Sequence, residues 1–528
     1  MPLHMVDDPE ENDDYVDDNG GGGGGKPNLP GGAGGLLSLL PLLLTLFKGK
    51  KGIFFLLIAV VGGYFLFNKG GCNMLTDNGG GIIQNLFSQS GYNFNPNEFK
   101  KASVYEGLED DNSKNPLPEA VSLAKFAPRR MNQGQQGSCV AWSSAYGART
   151  ILEAASTNQN PDQVAYSPSY VYNNIALDGC QGSYIQRAME FMQKRGAVPF
   201  TDFAYDENDC TRQGGQDLLN EAAQNRIHGF TRLTESDDVN GINIRAVKEH
   251  LAKDAPVVIG MMVGGSFMQD MMGQKVWHPT DYDRRQMGFG GHAMCVIGYD
   301  DRVEGGAFQI MNSWGPEWGQ NGLAFVRYGD FKEFVREAYG LDPLPKRGDA
   351  LDLAFECNIG LIDNGSKSNI PIRVKSGNVF ETVNPIAKGS TFKIELRNAI
   401  ECYAYIFTPD STGTSFVLFP YKPIHSPYFG ITGYRLFPRR ESIQADALGS
   451  KDFMAIVVSK QPLNYQSIND QINREQGNNY TEKFNRALSS QAMKNVNYSS
   501  GQNNSVYFKT NVSDKDQVVA CVVEIDKQ

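Results

Sequence analysis

Cysteine and histidine are scarce in this chain, eight and six in 528 residues. So few cysteines exclude a disulfide-stapled scaffold. His228, His250, His278 and His425 stand apart without metal-ligand spacing, so no metal and no other cofactor is expected. Basic charge is lacking too. The formal net charge is −10, and the first eighteen residues hold Asp7, Asp8, Glu10, Glu11, Asp13, Asp14, Asp17 and Asp18 with no Lys or Arg, leaving about −2 for the rest. That balance excludes a globally basic nucleic-acid binder, which must displace the counterions of a phosphate backbone. No phosphate-cradling loop is present, because the run Gly20 to Gly25 lacks the Lys-Ser/Thr pair and a following helix. No apolar run reaches the ~20 residues of a full membrane-spanning helix. What is there is ordinary globular composition, 41% hydrophobic and 20% charged, in a length that predicts two to four domains.

Residues 1–35, acidic and then glycine-rich, bury too little apolar surface to offset the entropy of ordering and read as a disordered tail. Residues 36–70 hold two apolar runs, Leu36 to Phe47 and Ile53 to Phe67, split by Lys48, Lys50 and Lys51. Fifteen uncharged residues span roughly 22 Å of a ~30 Å hydrocarbon layer. Flanking Lys51 and Lys69 can snorkel, so a single-pass membrane segment is expected. The lysines ahead of Ile53 place the bulk of the chain on the periplasmic or outer side. Residues 71–116, rich in Asn, Gly, Asp and Ser, read as a linker. From 117 to 345 helical and strand-like segments alternate, and from 346 to 528 the pattern is mostly β. Phe392, Ile394 and Leu396 alternate with Lys393, Glu395 and Arg397, which predicts a strand with one wet face. Phe453 to Val458 and Val518 to Ile525 read as strands buried on both faces, and Asn479 and Glu482 cap a helix.

Three stretches carry chemistry. Asn132-Gln133-Gly134-Gln135-Gln136-Gly137-Ser138-Cys139-Val140-Ala141-Trp142 delivers a cysteine from a glycine-rich turn into a helical run. A cysteine at a helix N-terminus is biased toward thiolate by the unpaired N–H groups and the macrodipole. Position alone does not separate this from a small buried hydrophobe. Gly290-Gly291-His292-Ala293-Met294-Cys295-Val296-Ile297-Gly298-Tyr299 opens an apolar strand with a histidine at its mouth. Phe308-Gln309-Ile310-Met311-Asn312-Ser313-Trp314-Gly315-Pro316-Glu317-Trp318-Gly319-Gln320-Asn321-Gly322 ends a second strand on an asparagine followed by two tryptophans.

In that order these stretches resemble the papain-like cysteine peptidase family over about residues 117–341. The resemblance implies an α+β fold: a papain-like two-lobed catalytic domain, with a helical lobe and a β-barrel-like lobe, followed here by a mostly-β domain. It implies Cys139 as nucleophile, His292 as base and acid, Asn312 as the partner of the imidazole, and Gln133 as an oxyanion-hole donor. The thiol pKa should then lie below its ~8.5 reference. Gly182 and Ser183 match the strip that pairs with substrate backbone, Trp314 shields the His–Asn bond, and Trp318 packs behind it. Gln136 and Val140 depart from the usual cysteine and aromatic at those positions. The first departure frees Cys180, which is expected to bond Cys210 in an exported protein. His292 and Asn312 follow Cys139 by 153 and 173 residues, more than the family's usual ~130–150, so an insertion is expected within Gly264 to Phe289, with Trp277, His278 and Tyr282 at the cleft. The family's helical inhibitory propeptide is not apparent. The C-terminal region faintly resembles a β-rich accessory domain of bacterial surface proteins, which implies a protein partner there. The expected function is a membrane-tethered cysteine endopeptidase acting on protein or peptide substrates. Its rivals are an exopeptidase or transpeptidase on the same scaffold and a catalytically silent peptide-binding scaffold.

Overall fold

The computed structural model describes residues 3–8, 91–234, 241–346, 354–421, 424–439, 441–501, 504–511, 514 and 516–528. The acidic tail beyond Asp8, the membrane segment and the linker up to Ser90 lie outside the described residues. Among the described residues no helix is long and apolar enough to cross a membrane.

The half between Leu117 and Pro345 packs helices on both faces of a seven-stranded sheet: Gly147 lies against Cys295 on one face, and His250 of the helix Ile244–Leu251 lies against Gly340 on the other. Its central helix runs unbroken from Cys139–Ala141 through a π-helical stretch, Trp142–Arg149, to Thr150–Thr157. Every residue from Cys139 to Leu152 is buried; among the polar ones Ser143 and Ser144 donate to the Val140 carbonyl and Arg149 pairs with Glu153. Asn158 ends it in the left-handed conformation. Pro168–Ile175 and Ile185–Lys194 pack beside it. The strands lie in the order Phe230–Arg232, Val335–Leu341, Val257–Val263, Gly290–Asp300, Ala307–Met311 and Leu323–Arg327, all antiparallel, with Ala120–Ser122 also paired to Gly290–Asp300. The strand path runs open among the described residues, from Phe230–Arg232 at one end to Leu323–Arg327 at the other.

The C-terminal half has its own core between an eight-stranded and a seven-stranded sheet. Lys451–Ser459 and Val518–Asp526 are central and apolar on both faces, as their sequence predicts. One face meets the other sheet, and the second is covered by the helices Tyr465–Arg474 and Tyr480–Ala487. Asn479 caps the latter, accepting from the Glu482 N–H at 2.9 Å. Cys357, Cys402 and Cys521 are buried in this core.

Two sequence expectations are corrected here. Thr391–Asn398 keeps Arg397 exposed as its alternation predicts, but buries Lys393 and Glu395. Residues of the supposed tail cover it: His4–Asp7 is a strand paired antiparallel with Glu441–Gln444, and Leu3 is fully buried in the sandwich core. The Lys393 ammonium donates to Asp8 Oδ2 at 2.6 Å and to the carbonyls of Pro438, Arg439 and Glu441. Glu395 accepts from Asn358 and Asn369. Alternation shows which side chains share a face, and here distant chain supplied the partners that permit burial. The supposed linker is likewise structured from Gly91 onward.

Candidate active site

Cys139 opens the central helix, and Ala293, next to His292 on the neighbouring strand, donates its N–H to Cys139 Sγ at 3.4 Å. The His292 Nε2–H donates to Asn312 Oδ1 at 2.7 Å, and the same oxygen accepts the Ser313 N–H at 2.7 Å, which fixes the amide orientation. The neutral imidazole therefore carries its proton on Nε2 and leaves the Nδ1 lone pair open. Trp314 stacks on the imidazole with ring centroids 4.4 Å apart. Trp318 sits behind it, its indole N–H donating to the Phe267 carbonyl at 2.9 Å.

Gln133 reaches the site because residues 131–133 pair with 313–315: Gln133 N–H donates to Ser313 O, and Gly315 N–H to Met131 O. Ser313 Oγ donates to Gln133 Oε1 at 2.6 Å, so the amide nitrogen faces away from Ser313. One of its N–H bonds goes to the Gln136 carbonyl at 2.9 Å and the second is left for a ligand. Ser138 stands at the N-cap position without a side-chain cap: its hydroxyl bonds the Tyr205 hydroxyl at 2.8 Å, and its carbonyl takes the Ala141 and Trp142 N–H groups. The structure thus brings Cys139, His292, Asn312, Gln133, Trp314 and Trp318 together. Cys180 and Cys210 are bonded, with Cα atoms 6.1 Å apart, closing the loop that carries Gly182 and Ser183. Trp277 is not at the cleft: it is buried against Phe267 and Phe334, because its indole N–H finds Ser266 Oγ inside the fold. His278 and Tyr282 are exposed, His278 pairing with Glu304.

The cleft is occupied by the chain itself. Gly91 O accepts from Ser183 N–H at 2.9 Å and Asn93 N–H donates to Ser183 O at 3.0 Å, a parallel pairing centred on Tyr92. Asn93 Nδ2 donates to Gln181 O at 2.9 Å. Gly91 lies against the turn before the cysteine so closely that a Cβ there would fall 2.1 Å from Gly137 O. The Tyr92 ring enters a slot whose wall has no side chain at Gly260, where a Cβ would lie 2.2 Å from the ring, and its carbonyl abuts Gly291. Glu337 and Tyr339 close the slot, the Tyr339 hydroxyl donating to Glu337 Oε2 at 2.7 Å. The Tyr92 hydroxyl is buried beside Glu337 without a well-aligned hydrogen bond. Neither Tyr92 nor Glu337 was singled out from sequence. The signal for Glu337 was its inward phase in Val335–Leu341, the one charge on the side that carries Val335, Tyr339 and Leu341.

This plug bears on two expectations. No helical propeptide is seen among the described residues, as the sequence suggests, yet extended chain ahead of residue 117 lies in the cleft. The thiol is also not ionised: burial pushes Cys139 up to about 12 and His292 down to about 4, against the smaller opposing effect of the Asn312 bond. With water excluded, the charged forms lose hydration that helix end and neighbours do not replace. Glu337 is pushed up to about 7 by the same burial, and its hydrogen bonds only partly offset this.

Residues 122–337 match the family model of papain family cysteine proteases. Cathepsin B-like CP2 of Giardia intestinalis is 28% identical over 219 residues, 40% of this chain and 68% of that protein. Mouse cathepsin K is 28% identical over 217 residues, 40% of this chain and 60% of that protein. Among solved structures, xylellain, a cysteine protease from Xylella fastidiosa, aligns at 22% identity over 48% of this chain and 97% of that one, with a TM-score of 0.40. The papain-family match and the two cathepsin relatives support a cysteine peptidase. The match ends before the C-terminal sandwich.

Proposed function

We propose that this chain is a cysteine endopeptidase of papain type, held with its own residues 91–95 in the substrate cleft. The observation that carries the reading is the convergence of Cys139, His292, Asn312 and Gln133 beside a strip, Gln181 to Ser183, that already holds an extended peptide by its backbone. Once the plug leaves, His292 Nδ1 takes the Cys139 proton and the sulfur attacks a peptide carbonyl. The carbonyl oxygen gathers negative charge and accepts hydrogen bonds from Gln133 Nε2–H and the Cys139 N–H. The imidazolium, held by Asn312, gives its proton to the departing amine. Water, deprotonated by the same ring, hydrolyses the thioester and restores the thiol.

The slot that receives Tyr92 points to the substrate side chain favoured next to the strip. It is apolar along Gly260 and Gly291 and ends on a carboxyl group, so a long side chain with a donor or cation at its tip fits: tyrosine, lysine or arginine. Tethering to a membrane through residues 36–70 belongs to the same proposal and rests on the apolar run Ile53 to Phe67 and its lysine flanks.

The test is covalent. In the full chain, Gly91→Val should misfit against Gly137 and open the cleft. An epoxysuccinyl thiol inhibitor should then add to Cys139, seen as a mass increment on its peptide, and casein should be cleaved. Cleavage that survives Cys139→Ala, or no adduct on the opened protein when an unfolded control reacts, would sink the reading.

A further inference from the structure

The plug has little structure of its own. Between Gly91 and Asn115 the single regular element is the four-residue helix Pro96–Phe99. Ordering each residue costs about 1–2 kcal/mol, so such a segment stays put only if its surroundings hold it. Its anchorage lies downstream of the cleft, where residues 103–115 run as a strap between the two halves of the molecule. On one side Ser103 O and Tyr105 N–H pair with Arg232, and Leu108 N–H donates to Glu249 Oε2 at 3.2 Å. On the other side the C-terminal sandwich supplies the contacts. Val104 N–H donates to Ile424 O at 2.7 Å and Glu109 N–H to Tyr434 O at 3.0 Å. Asn115 clasps Tyr434 at both backbone groups, donating to its carbonyl at 2.7 Å and accepting its N–H at 2.9 Å. Glu106 is buried, with the Tyr421 hydroxyl donating to its Oε2 at 3.2 Å and His425 Nδ1 lying 3.4 Å from the same oxygen. Leu108 is buried in a small cluster with Ala255 and Ile431, one residue from each half.

Resting on the peptidase reading, we propose that the C-terminal sandwich is the clamp that keeps the plug in the cleft, so that access to Cys139 is regulated through the contact of the sandwich with the strap. Without the sandwich, Leu108 would be exposed on one flank, Glu106 would lose its donor, and the strap would be left as a short edge strand beside Phe230–Arg232. A peptide with so few pairings exchanges readily with solvent. The sandwich residues concerned, Tyr421, His425 and Ile431, take no part in the cleft itself. Loosening them changes the population of the plugged state and leaves the catalytic groups untouched.

The experiment uses the full chain and reads the rate at which the epoxysuccinyl inhibitor labels Cys139. Ile431→Asp puts a charge into the Leu108–Ala255 cluster and is expected to raise the labelling rate roughly tenfold or more, as a shift toward the open state requires. The pair Tyr421→Phe with His425→Ala, which removes groups from Glu106 without adding charge, is expected to move the rate in the same direction and is decisive if Ile431→Asp does not fold. Adding Ile431→Asp to Gly91→Val should give no further gain, because both act by freeing the plug; a variant that merely weakened the fold would add to it. Folded sandwich variants that label at the wild-type rate, while Gly91→Val labels fast, overturn the clamp and leave the peptidase reading standing. If Gly91→Val also fails to label, both fall.

Discussion

The two halves of the molecule differ in the charges they bury. In the C-terminal sandwich the Lys527 ammonium is fully buried and meets Asp446, Asp452 Oδ1 at 2.8 Å and Leu448 O at 2.7 Å. Arg435, also fully buried, donates to Asn398 Oδ1 and Ile431 O and lies over the Phe429 ring. Around the cleft, buried polar atoms go short of partners: Asn312 Nδ2 and the Tyr92 hydroxyl have none, and Cys139 is met by one distant N–H. Buried charges with partners hold a fold in one arrangement, whereas groups buried without partners are costly and gain when water or substrate reaches them. Arg435 Nε and Asp452 Oδ2 also lack partners, so the difference lies in the charges: the sandwich holds a buried cation between two carboxylates, while the plugged cleft holds its reacting groups neutral.

The strongest way to break this comparison is to remove the group that opening serves. In the Gly91→Val background, Cys139→Ala should lower peptide cleavage about a millionfold, to background, since loss of the nucleophile in a coupled set removes the whole covalent route. Thermal unfolding should keep its midpoint. On the other side of the comparison, Lys527→Met leaves Asp446 and Asp452 facing each other without a cation. Breaking a buried pair in this way costs about 3–5 kcal/mol, to be read from the denaturant midpoint of the C-terminal transition. An unchanged midpoint would mean that the sandwich, too, tolerates unpaired burial. Gln133→Ala, again with the plug displaced, should reduce turnover by roughly a hundredfold with KM nearly unchanged, because its free N–H meets negative charge that exists only in the transition state.

The cleft was legible in the sequence where the backbone itself sets the chemistry. A glycine turn running into a helix at Cys139, a glycine turn opening the His292 strand and the Asn312-Ser313-Trp314-Gly315 turn are local patterns, and each side chain stands where its own turn puts it. The buried strands Lys451–Ser459 and Val518–Asp526 were legible for the same reason, since an unbroken apolar run of that length has to be covered on both faces. The plug, the strap and the first strand were not. Their composition is that of loops, and what orders them is Ser183, Arg232, Tyr434 and Glu441–Gln444, partners far away along the chain. Lys393 shows the limit at one residue. Its place on the strand was predictable, but its burial depends on Asp8, 385 positions earlier.

The comparison sharpens last in its dependence on pH, where two groups of the cleft pull against each other. His292 is held at about 4 in the plugged state against an ordinary value near 6.5, so its contribution to plugging is complete above 6.5 and is lost as pH falls toward 4. Glu337 is held at about 7 against an ordinary value near 4.5, so its contribution is complete below 4.5 and is lost as pH rises toward 7. Between about 4.5 and 6.5 the open state takes up a proton at the imidazole and gives one up at the carboxyl, and the slopes cancel. The wild-type chain should therefore open to a nearly constant extent across that window. Glu337→Gln removes one arm: the amide keeps the shape of the slot and cannot ionise, so opening should rise as pH falls, by about tenfold relative to wild type at pH 5.5 after matching the two at pH 6.5. Labelling of Cys139 against pH, corrected for the reactivity of the Gly91→Val protein at each pH, measures it. Parallel profiles for the two proteins would show that Glu337 keeps its protonation state when Tyr92 leaves, and that the imidazole alone couples the plug to acid.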